Sequence, residues 1–223
     1  NFRLLPGTSV GLLGRTGSGK TTLSRLLFRL YDPTEGAIRL GDATLPELTL
    51  DALRQRVGMV TQDVQLFQAS IRDNLTLFDR SIPDEEILGI IKDLGLTDWI
   101  SRQPEGLDTE LAAGGGGLSA GEAQLLAFAR VFLKDPGLVI LDEPSSRLDP
   151  ATERLIERAV NRLLRDRTAI IIAHRLGTVQ RVDEIMIMED GRIIEHGPRA
   201  RLVEDPASHF SGLLRTGMEE SFA

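Results

Sequence analysis

Short apolar runs alternate with longer amphipathic stretches along most of the chain. The strand candidates are the apolar runs at Val10–Leu13, Val57–Val60, Leu138–Leu141 and Ala169–Ile172. The helix candidates have apolar residues at helical spacing, at Leu23–Leu30, Ala123–Leu133 and Leu155–Leu164. Strands that alternate with helices form βαβ units, so this pattern predicts an α/β fold with a mostly parallel sheet flanked by helices. Runs that are apolar at every position are typical of central strands covered on both faces.

Two regions depart from this alternation and indicate antiparallel pairing. Ala37–Leu40 is followed by Gly41-Asp42, and Ile185–Met188 is separated from Arg192–Glu195 by Asp190-Gly191. Asp-Gly between two strand candidates favours a tight hairpin. We expect a small antiparallel β-subdomain at the first place and a hairpin at the second.

The segment from about residue 70 to residue 133 contains helical stretches such as Asp84–Leu94 and no convincing strand pattern. It predicts an α-helical subdomain inserted into one α/β domain that takes up residues 1–223. The chain begins with Asn1-Phe2-Arg3-Leu4-Leu5, a strand-like run without an initiator methionine, so we expect a fragment of a longer protein.

Composition and charge narrow the classes of function. The 223 residues are 41% hydrophobic, which is enough for a substantial core. A net charge of -7 and the lack of a basic patch give no attraction for a phosphate backbone, so we expect no nucleic acid as partner. The sequence contains no cysteine, which excludes disulfides and thiolate metal sites. Its longest apolar runs are much shorter than the ~18 residues that a membrane helix needs.

A glycine-rich segment with one lysine follows the first apolar run. Gly14–Thr21 reads GRTGSGKT and matches the P-loop pattern GxxxxGK[ST], between a predicted strand and a predicted helix. Its glycines let backbone N–H groups converge on nucleotide phosphates, Lys20 reaches the β- and γ-phosphates, and the Thr21 hydroxyl binds Mg²⁺. The alternative is a glycine-rich turn with an incidental lysine. The predicted phosphate-binding residues are Gly14, Arg15, Thr16, Gly17, Ser18, Gly19, Lys20, Thr21 and Thr22.

Polar residues also follow three other predicted strands. Asp142 and Glu143 end the run LVILDE, at the sheet edge where ligands of parallel sheets bind. Asp142 is suited to holding Mg²⁺, and Glu143 to polarising the water that attacks the γ-phosphate. A solvated acidic strand end is the alternative. His174 and Gln62 follow strands in the same way, and a residue of this kind, taken alone, is more often an ordinary polar residue.

In their order along the chain, these segments resemble the ATPase domain of ABC transporters. The resemblance covers nearly the whole chain and rests on six motifs, at Gly14–Thr21, Gln62, Leu118–Glu122 (LSAGE), Leu138–Glu143, Ser145–Asp149 and His174. VQLF at 64–67 and SIRDNL at 70–75 are similar to the exporter-type branch of the family. The resemblance therefore implies a P-loop NTPase core that binds ATP and Mg²⁺.

The resemblance also implies a head-to-tail dimer, in which ATP lies between the P-loop of one domain and the signature segment, residues 118–122, of the other. It assigns Gln62 to the magnesium ion and the attacking water, Glu143 to the role of catalytic base, and His174 to the γ-phosphate. The residues that would face the partner domain and its nucleotide are Ser119, Gly121, Glu122 and Asp149. A transmembrane domain, fused or separate, would complete an exporter, and the chain would lie at the cytoplasmic face of the cell membrane.

The signature segment departs from the usual LSGGQ of the family, with Ala120 for the first glycine and Glu122 for the glutamine. Ser119 and Glu122 match the capping box S-x-x-E, so we expect Glu122 to fold back on the Ser119 amide. A Glu122 that faced the γ-phosphate would instead oppose binding through its charge. One hypothesis is an asymmetric pair of domains whose second nucleotide site is weakened.

Two other functions are compatible with a P-loop. One is a soluble ATPase of the same superfamily that clamps a partner, in regulation or DNA maintenance, and the acidic charge balance argues against it. The other is a P-loop kinase for a small molecule, which would have no signature helix. Export driven by ATP hydrolysis is the function that the motifs favour.

Overall fold

The computed structural model describes residues 1–142, 149–165, 167–173 and 176–216. Within these ranges the strands are β1 (Ser9–Leu13), β2 (Arg39–Leu40), β3 (Ala43–Thr44), β4 (Val57–Val60), β5 (Leu138–Asp142), β6 (Thr168–Ile172), β7 (Glu184–Glu189) and β8 (Arg192–Pro198). The α-helices are α1 (Lys20–Leu27), α2 (Leu50–Arg56), α3 (Ile71–Thr76), α4 (Asp84–Asp93), α5 (Thr97–Ser101), α6 (Ala120–Lys134), α7 (Pro150–Leu163), α8 (Arg199–Glu204) and α9 (His209–Thr216).

The main sheet of the described residues has six strands in the order β4-β5-β6-β1-β7-β8. Four neighbouring strands of this sheet, β5, β6, β1 and β7, pair in parallel. Ile140 lies opposite Ile170, and Ile170 lies opposite Val10. These strands are buried along almost their whole length, as their uninterrupted apolar runs require. The predicted α/β fold with a mostly parallel sheet is confirmed.

The two predicted antiparallel pieces are also present. β7 and β8 pair antiparallel through the two-residue turn Asp190-Gly191, in which φ is 47° and 74°. Positive φ at both central residues is the type I′ geometry that suits the twist of a hairpin, and Asp-Gly is one of its favoured sequences. β2 and β3 form a separate two-stranded sheet, which is shorter than the predicted run Ala37–Leu40.

The described residues fall into two compact units. The first unit contains the described residues of Asn1–Met59, Gly137–Glu143 and Asp166–Ala223. The second unit contains the described residues of Val60–Pro136 and Pro144–Arg165. In the first unit, Leu53 of α2 belongs to the same buried cluster as the strand residues Leu12 and Ile172. Leu23 and Leu27 of α1 pack against this cluster, so α1 and α2 cover the sheet.

In the second unit, α3, α4 and α7 pack on α6, which is buried along most of its length. The helical subdomain predicted at about 70–133 falls within this unit, and the unit also includes α7, which the sequence pattern did not group with it. None of the helices in the described ranges is long and apolar enough to cross a bilayer.

Candidate functional site

The P-loop connects the buried end of β1 to the start of α1. Within the loop, the Ser18 amide donates to the carbonyl oxygen of Arg15 at 3.0 Å. The tip of the β7–β8 hairpin lies behind the loop, where the Gly191 amide donates to the carbonyl oxygen of Ser18 at 3.1 Å. The loop is therefore closed on itself and supported from behind by main-chain hydrogen bonds.

Two glycines of the loop occupy positions that no other residue suits. Gly14 has φ 152°, and a Cβ atom there would collide with the carbonyl oxygen of Met188 and with Ser18 Oγ. Gly19 has φ 103° and is the N-cap of α1, where no side chain caps the helix. The amides of a first helical turn lack intrahelical acceptors, so those of Thr21 and Thr22 are available to an anion that binds at this end of α1.

Lys20 places a positive charge inside this loop. Its side chain is buried, and Nζ donates to the carbonyl oxygens of Gly14 at 2.5 Å and Arg15 at 3.0 Å. A charged donor that is already held in the loop needs little rearrangement to bind an anion.

Ser18 provides a second polar group in the same loop. Its hydroxyl oxygen is buried and has no hydrogen-bond partner within the protein. A buried polar atom without a partner is uncommon and is frequently explained by a missing ligand or water. The glycine cradle, the ammonium of Lys20 and this hydroxyl together fit the oxygens of a nucleotide's phosphate groups.

Asp142 lies at the same edge of the sheet as the P-loop. It is the last residue of β5 and lies opposite Ile172 of β6, which in turn lies opposite Leu12 of β1. Two strand spacings amount to about 10 Å, so Asp142 and the end of β1 lie within reach of one Mg²⁺-nucleotide complex. In the described part of the chain, no three or more Asp, Glu or His residues cluster as a metal site.

The roles of three other predicted site residues are not tested by the described part of the chain. Glu143 and His174, the predicted catalytic base and γ-phosphate ligand, lie outside the described residues. Gln62 is exposed in the loop after β4, within the second unit. The roles of all three residues stay predictions.

The signature segment forms the start of α6. Ser119 is the N-cap, and its Oγ accepts a hydrogen bond from the Glu122 amide at 3.2 Å. Glu122 Oε2 accepts from the Ser119 amide at 2.8 Å and from the Ser119 hydroxyl at 2.9 Å. The predicted capping box is present, and Glu122 folds back on Ser119 as expected. Binding of nucleotide by Ser119, Gly121 and Glu122 stays a prediction.

Asp149 begins α7 in the way that its neighbour Pro150 indicates. Asp149 Oδ1 accepts a hydrogen bond from the Thr152 amide at 3.1 Å, and the Asp149 carbonyl oxygen accepts from Glu153 at 2.9 Å. The Asp149 side chain therefore caps the start of α7. Its contact with a partner domain stays a prediction.

The sequence patterns did not reveal a buried polar network in the second unit. Asn74 on α3 is fully buried, and its Nδ2 donates to the carbonyl oxygens of Phe67 at 3.0 Å and Ser70 at 3.1 Å. Arg130 on α6 donates to the carbonyl oxygens of Asn74 at 2.7 Å and Gln65 at 2.8 Å. Burial lowers the pKa of the Arg130 guanidinium, which still stays charged at neutral pH. Asn74 directly follows two other polar residues, Arg72 and Asp73, so nothing in the local sequence pattern indicates this network.

The network supports an exposed apolar patch, which consists of Phe67, Leu77 and Phe78. These side chains are 49%, 52% and 52% exposed, and the two rings meet edge to face at 5.6 Å between centroids. Leu77 and Phe78 both have left-handed backbone, with φ 53° and 69°. Bulky residues rarely adopt this conformation, and such strain is concentrated at functional surfaces.

Comparison with known proteins gives consistent results. The model of the family described as ABC transporter matches residues 1–146. The mycobactin import ATP-binding/permease protein IrtA of Mycolicibacterium smegmatis is 43% identical over 223 residues, which are 100% of this chain and 26% of that protein. The ATP-dependent lipid A-core flippase of Xylella fastidiosa is 41% identical over 204 residues, which are 91% of this chain and 35% of the flippase.

A solved structure supports the same relationship. The structure of a bacterial Atm1-family ABC exporter with ATP bound superposes with a TM-score of 0.86 at 34% identity, over 97% of this chain and 38% of that chain. The chain spans only about a quarter to two fifths of the length of these relatives. The similarity nevertheless includes both units of the chain, with the P-loop in one and the signature helix in the other. The chain therefore belongs to the ABC transporter family, as a nucleotide-binding domain of the type found in Atm1-family exporters.

Proposed function

We propose that this chain binds ATP with Mg²⁺ and hydrolyses it to ADP and phosphate, and that this reaction drives export across a membrane. The observation that carries the proposal is the P-loop geometry, with the Lys20 ammonium held in the loop and an uncapped helix start beside it. The permease relatives and the flippase support this function over a soluble clamp.

The predicted site residues have distinct roles in the proposed reaction. The backbone of Gly14–Thr22 and the Lys20 ammonium bind the phosphates, and the Ser18 hydroxyl donates to one of their oxygens. Asp142 and the Thr21 hydroxyl would hold Mg²⁺, and the resemblance to the family assigns Gln62 to the same ion. The ion would neutralise negative charge on the phosphates. Glu143 accepts the proton of the attacking water, and His174 donates a hydrogen bond to the γ-phosphate.

A second nucleotide-binding domain, identical or related, completes the proposed site. Ser119, Gly121 and Glu122 at the start of α6 face the nucleotide held by that domain, and Asp149 contacts the domain beside it. The N-terminus of α6 carries the positive end of the helix dipole, which favours a phosphate there. The capping box between Ser119 and Glu122 supports the hypothesis that this site is the weaker one of an asymmetric pair.

The apolar patch of Phe67, Leu77 and Phe78 is the proposed contact with the transmembrane part of the transporter. The relatives that this chain matches include ATP-binding/permease proteins several times its length, which supports a permease as the occupant. An exposed cluster of aromatic and aliphatic side chains is typical of protein contacts. The chain would then lie at the cytoplasmic face of the membrane, where ATP is available.

The direction of transport is proposed from the exporter type of the domain. The name of the mycobacterial relative states import, whereas the relative from Xylella is named a flippase and the solved structure an exporter. Because similar nucleotide-binding domains occur in all three, the direction and the cargo depend on the permease part.

The replacement Glu143→Gln tests the reaction. It removes the proposed proton acceptor but keeps the size of the side chain, so we expect phosphate release to fall about 10²–10⁴-fold. ATP binding, measured by calorimetry, should stay within about threefold of the wild type, and an ATP-dependent dimer should accumulate in size-exclusion chromatography. Phosphate release at the wild-type rate would remove Glu143 from its role. The matched control is Glu157→Gln, which makes the same change on α7.

The replacement Phe78→Asp tests the patch in the complete transporter. A charge at the centre of an apolar contact is costly, so we expect ATP turnover of the transporter to fall at least about tenfold, while the affinity of this domain for ATP is unchanged. Leu88→Asp is the control, because Leu88 is 44% exposed on α4 and outside the patch. Equal turnover of the two variants would contradict the assignment of the patch.

A further inference from the structure

The backbone conformation of Gly121, in the signature segment, does not require a glycine. It is the second residue of α6 and is buried, and its φ lies outside the left-handed region. Alanine is a better helix former than glycine, so a helical glycine without a special φ requires a packing or a ligand to account for it.

The packing partner is Thr152, on the first turn of α7. A Cβ atom at Gly121 would collide with Thr152 Cγ2, and it would lie 3.1 Å from Thr152 Cβ and 3.2 Å from Thr152 Oγ1. Real Cβ atoms rarely approach other atoms this closely, so the two helix starts are in contact at a place where only glycine fits.

Thr152 is not free to move away from this contact. Its amide donates to Asp149 Oδ1 at 3.1 Å, which fixes the residue in the first turn of α7. Threonine is also branched at Cβ, and its side chain has few rotamers in a helix. A side chain added at position 121 would therefore push α7 as a whole.

The two helices are held together at their other ends as well. Arg162, near the end of α7, forms an ion pair with Asp93 at 2.6 Å, and its guanidinium lies 5.3 Å from the ring centroid of Phe132 on α6. Because Gly121 meets Thr152 and Phe132 meets Arg162, the helices run parallel with their N-termini side by side. Asp149 and the signature segment thus lie at the same end of one helix pair.

We propose that Thr152 is a positioning residue for the nucleotide site that this domain forms with its partner. Its methyl group and the missing side chain of Gly121 fix the start of α6 against the start of α7. The signature segment and Asp149 then meet the partner domain as one rigid surface. This inference rests on the proposed function, in which both segments face the nucleotide of a second domain.

A double-mutant cycle at positions 121 and 152 tests the inference. All four proteins also carry Glu143→Gln, so that ATP is not hydrolysed and the ATP-dependent dimer persists. We expect Gly121→Ala to weaken the ATP-dependent dimer at least tenfold in analytical ultracentrifugation and to lower Tm. Thr152→Ala alone should have a smaller effect. The double variant Gly121→Ala/Thr152→Ala should recover most of the dimer affinity, because the colliding methyl group is gone. The affinity of the monomeric P-loop for ATP should stay within twofold throughout.

Two results would overturn the inference. A double variant that dimerises as weakly as Gly121→Ala would mean that the nucleotide, and not Thr152, requires the glycine. A Gly121→Ala variant with unchanged Tm and dimer affinity would mean that the contact is not close. If the parent chain forms no ATP-dependent dimer, the proposed function fails and the positioning role with it, whereas the Tm values of the four proteins still decide whether the contact exists.

Discussion

Two helices of this chain begin in opposite ways. α1 begins after Gly19, which has no side chain to cap the first amides. α6 begins at Ser119, where the hydroxyl, the amide and the Glu122 carboxylate bind one another. The first helix start leaves its donors to a ligand, whereas the second satisfies two of its own amides.

The difference shows how the same secondary structure is adapted to different uses. An open helix start costs stability unless an anion binds there. The P-loop is held in shape by main-chain hydrogen bonds and by those that Lys20 donates to two loop carbonyls. A closed helix start is stable without a ligand. The Ser119 amide and hydroxyl would have to give up their hydrogen bonds to Glu122 before they could bind a phosphate.

The replacement Lys20→Ala changes the P-loop at the uncapped start of α1 and has the larger expected effect. It removes the charged donor from the loop, so we expect the Kd for Mg²⁺-ATP to rise about 100-fold or more, which corresponds to about 3 kcal/mol. Isothermal titration calorimetry measures this change directly. Lys92→Ala is the matched control, because it removes the same charge from an exposed position of α4. A Kd within threefold of the wild type for Lys20→Ala would contradict the function of the loop.

The replacement Ser119→Ala attacks the closed helix start and has the smaller expected effect. Loss of an N-cap serine costs about 1 kcal/mol, so the midpoint of urea unfolding should fall slightly. ATP binding at the P-loop should not change. Glu122→Gln is the control, since glutamine also completes a capping box and should cost less. A control that loses as much stability as Ser119→Ala would mean that the charge, not the cap, stabilises this helix start.

Local sequence patterns predicted most of the first unit. The continuous apolar runs gave the central strands, because a strand that is buried on both faces needs apolar residues throughout. Asp190-Gly191 gave the hairpin, because its type I′ turn needs two residues that tolerate positive φ. The order of the strands was not predictable, since hydrophobic patterns do not state which strands become neighbours.

The second unit was less predictable because its important contacts join distant positions. Arg130 and Asn74 are 56 residues apart in sequence, and nothing in either segment indicates the other. The contact between Gly121 and Thr152 likewise depends on the packing of α6 against α7. The capping box between Ser119 and Glu122, which depends only on neighbouring residues, was predicted correctly.

The hairpin behind the P-loop determines where a shortened fragment of this chain can end. The carbonyl oxygen of Met188 blocks a side chain at Gly14, and the Gly191 amide donates to Ser18, so the rear surface of the nucleotide loop comes from the last quarter of the chain. A fragment trimmed to residues 1–146, which the family model matches, would keep every residue of the P-loop. It would lose the hairpin that supports the conformation of the loop.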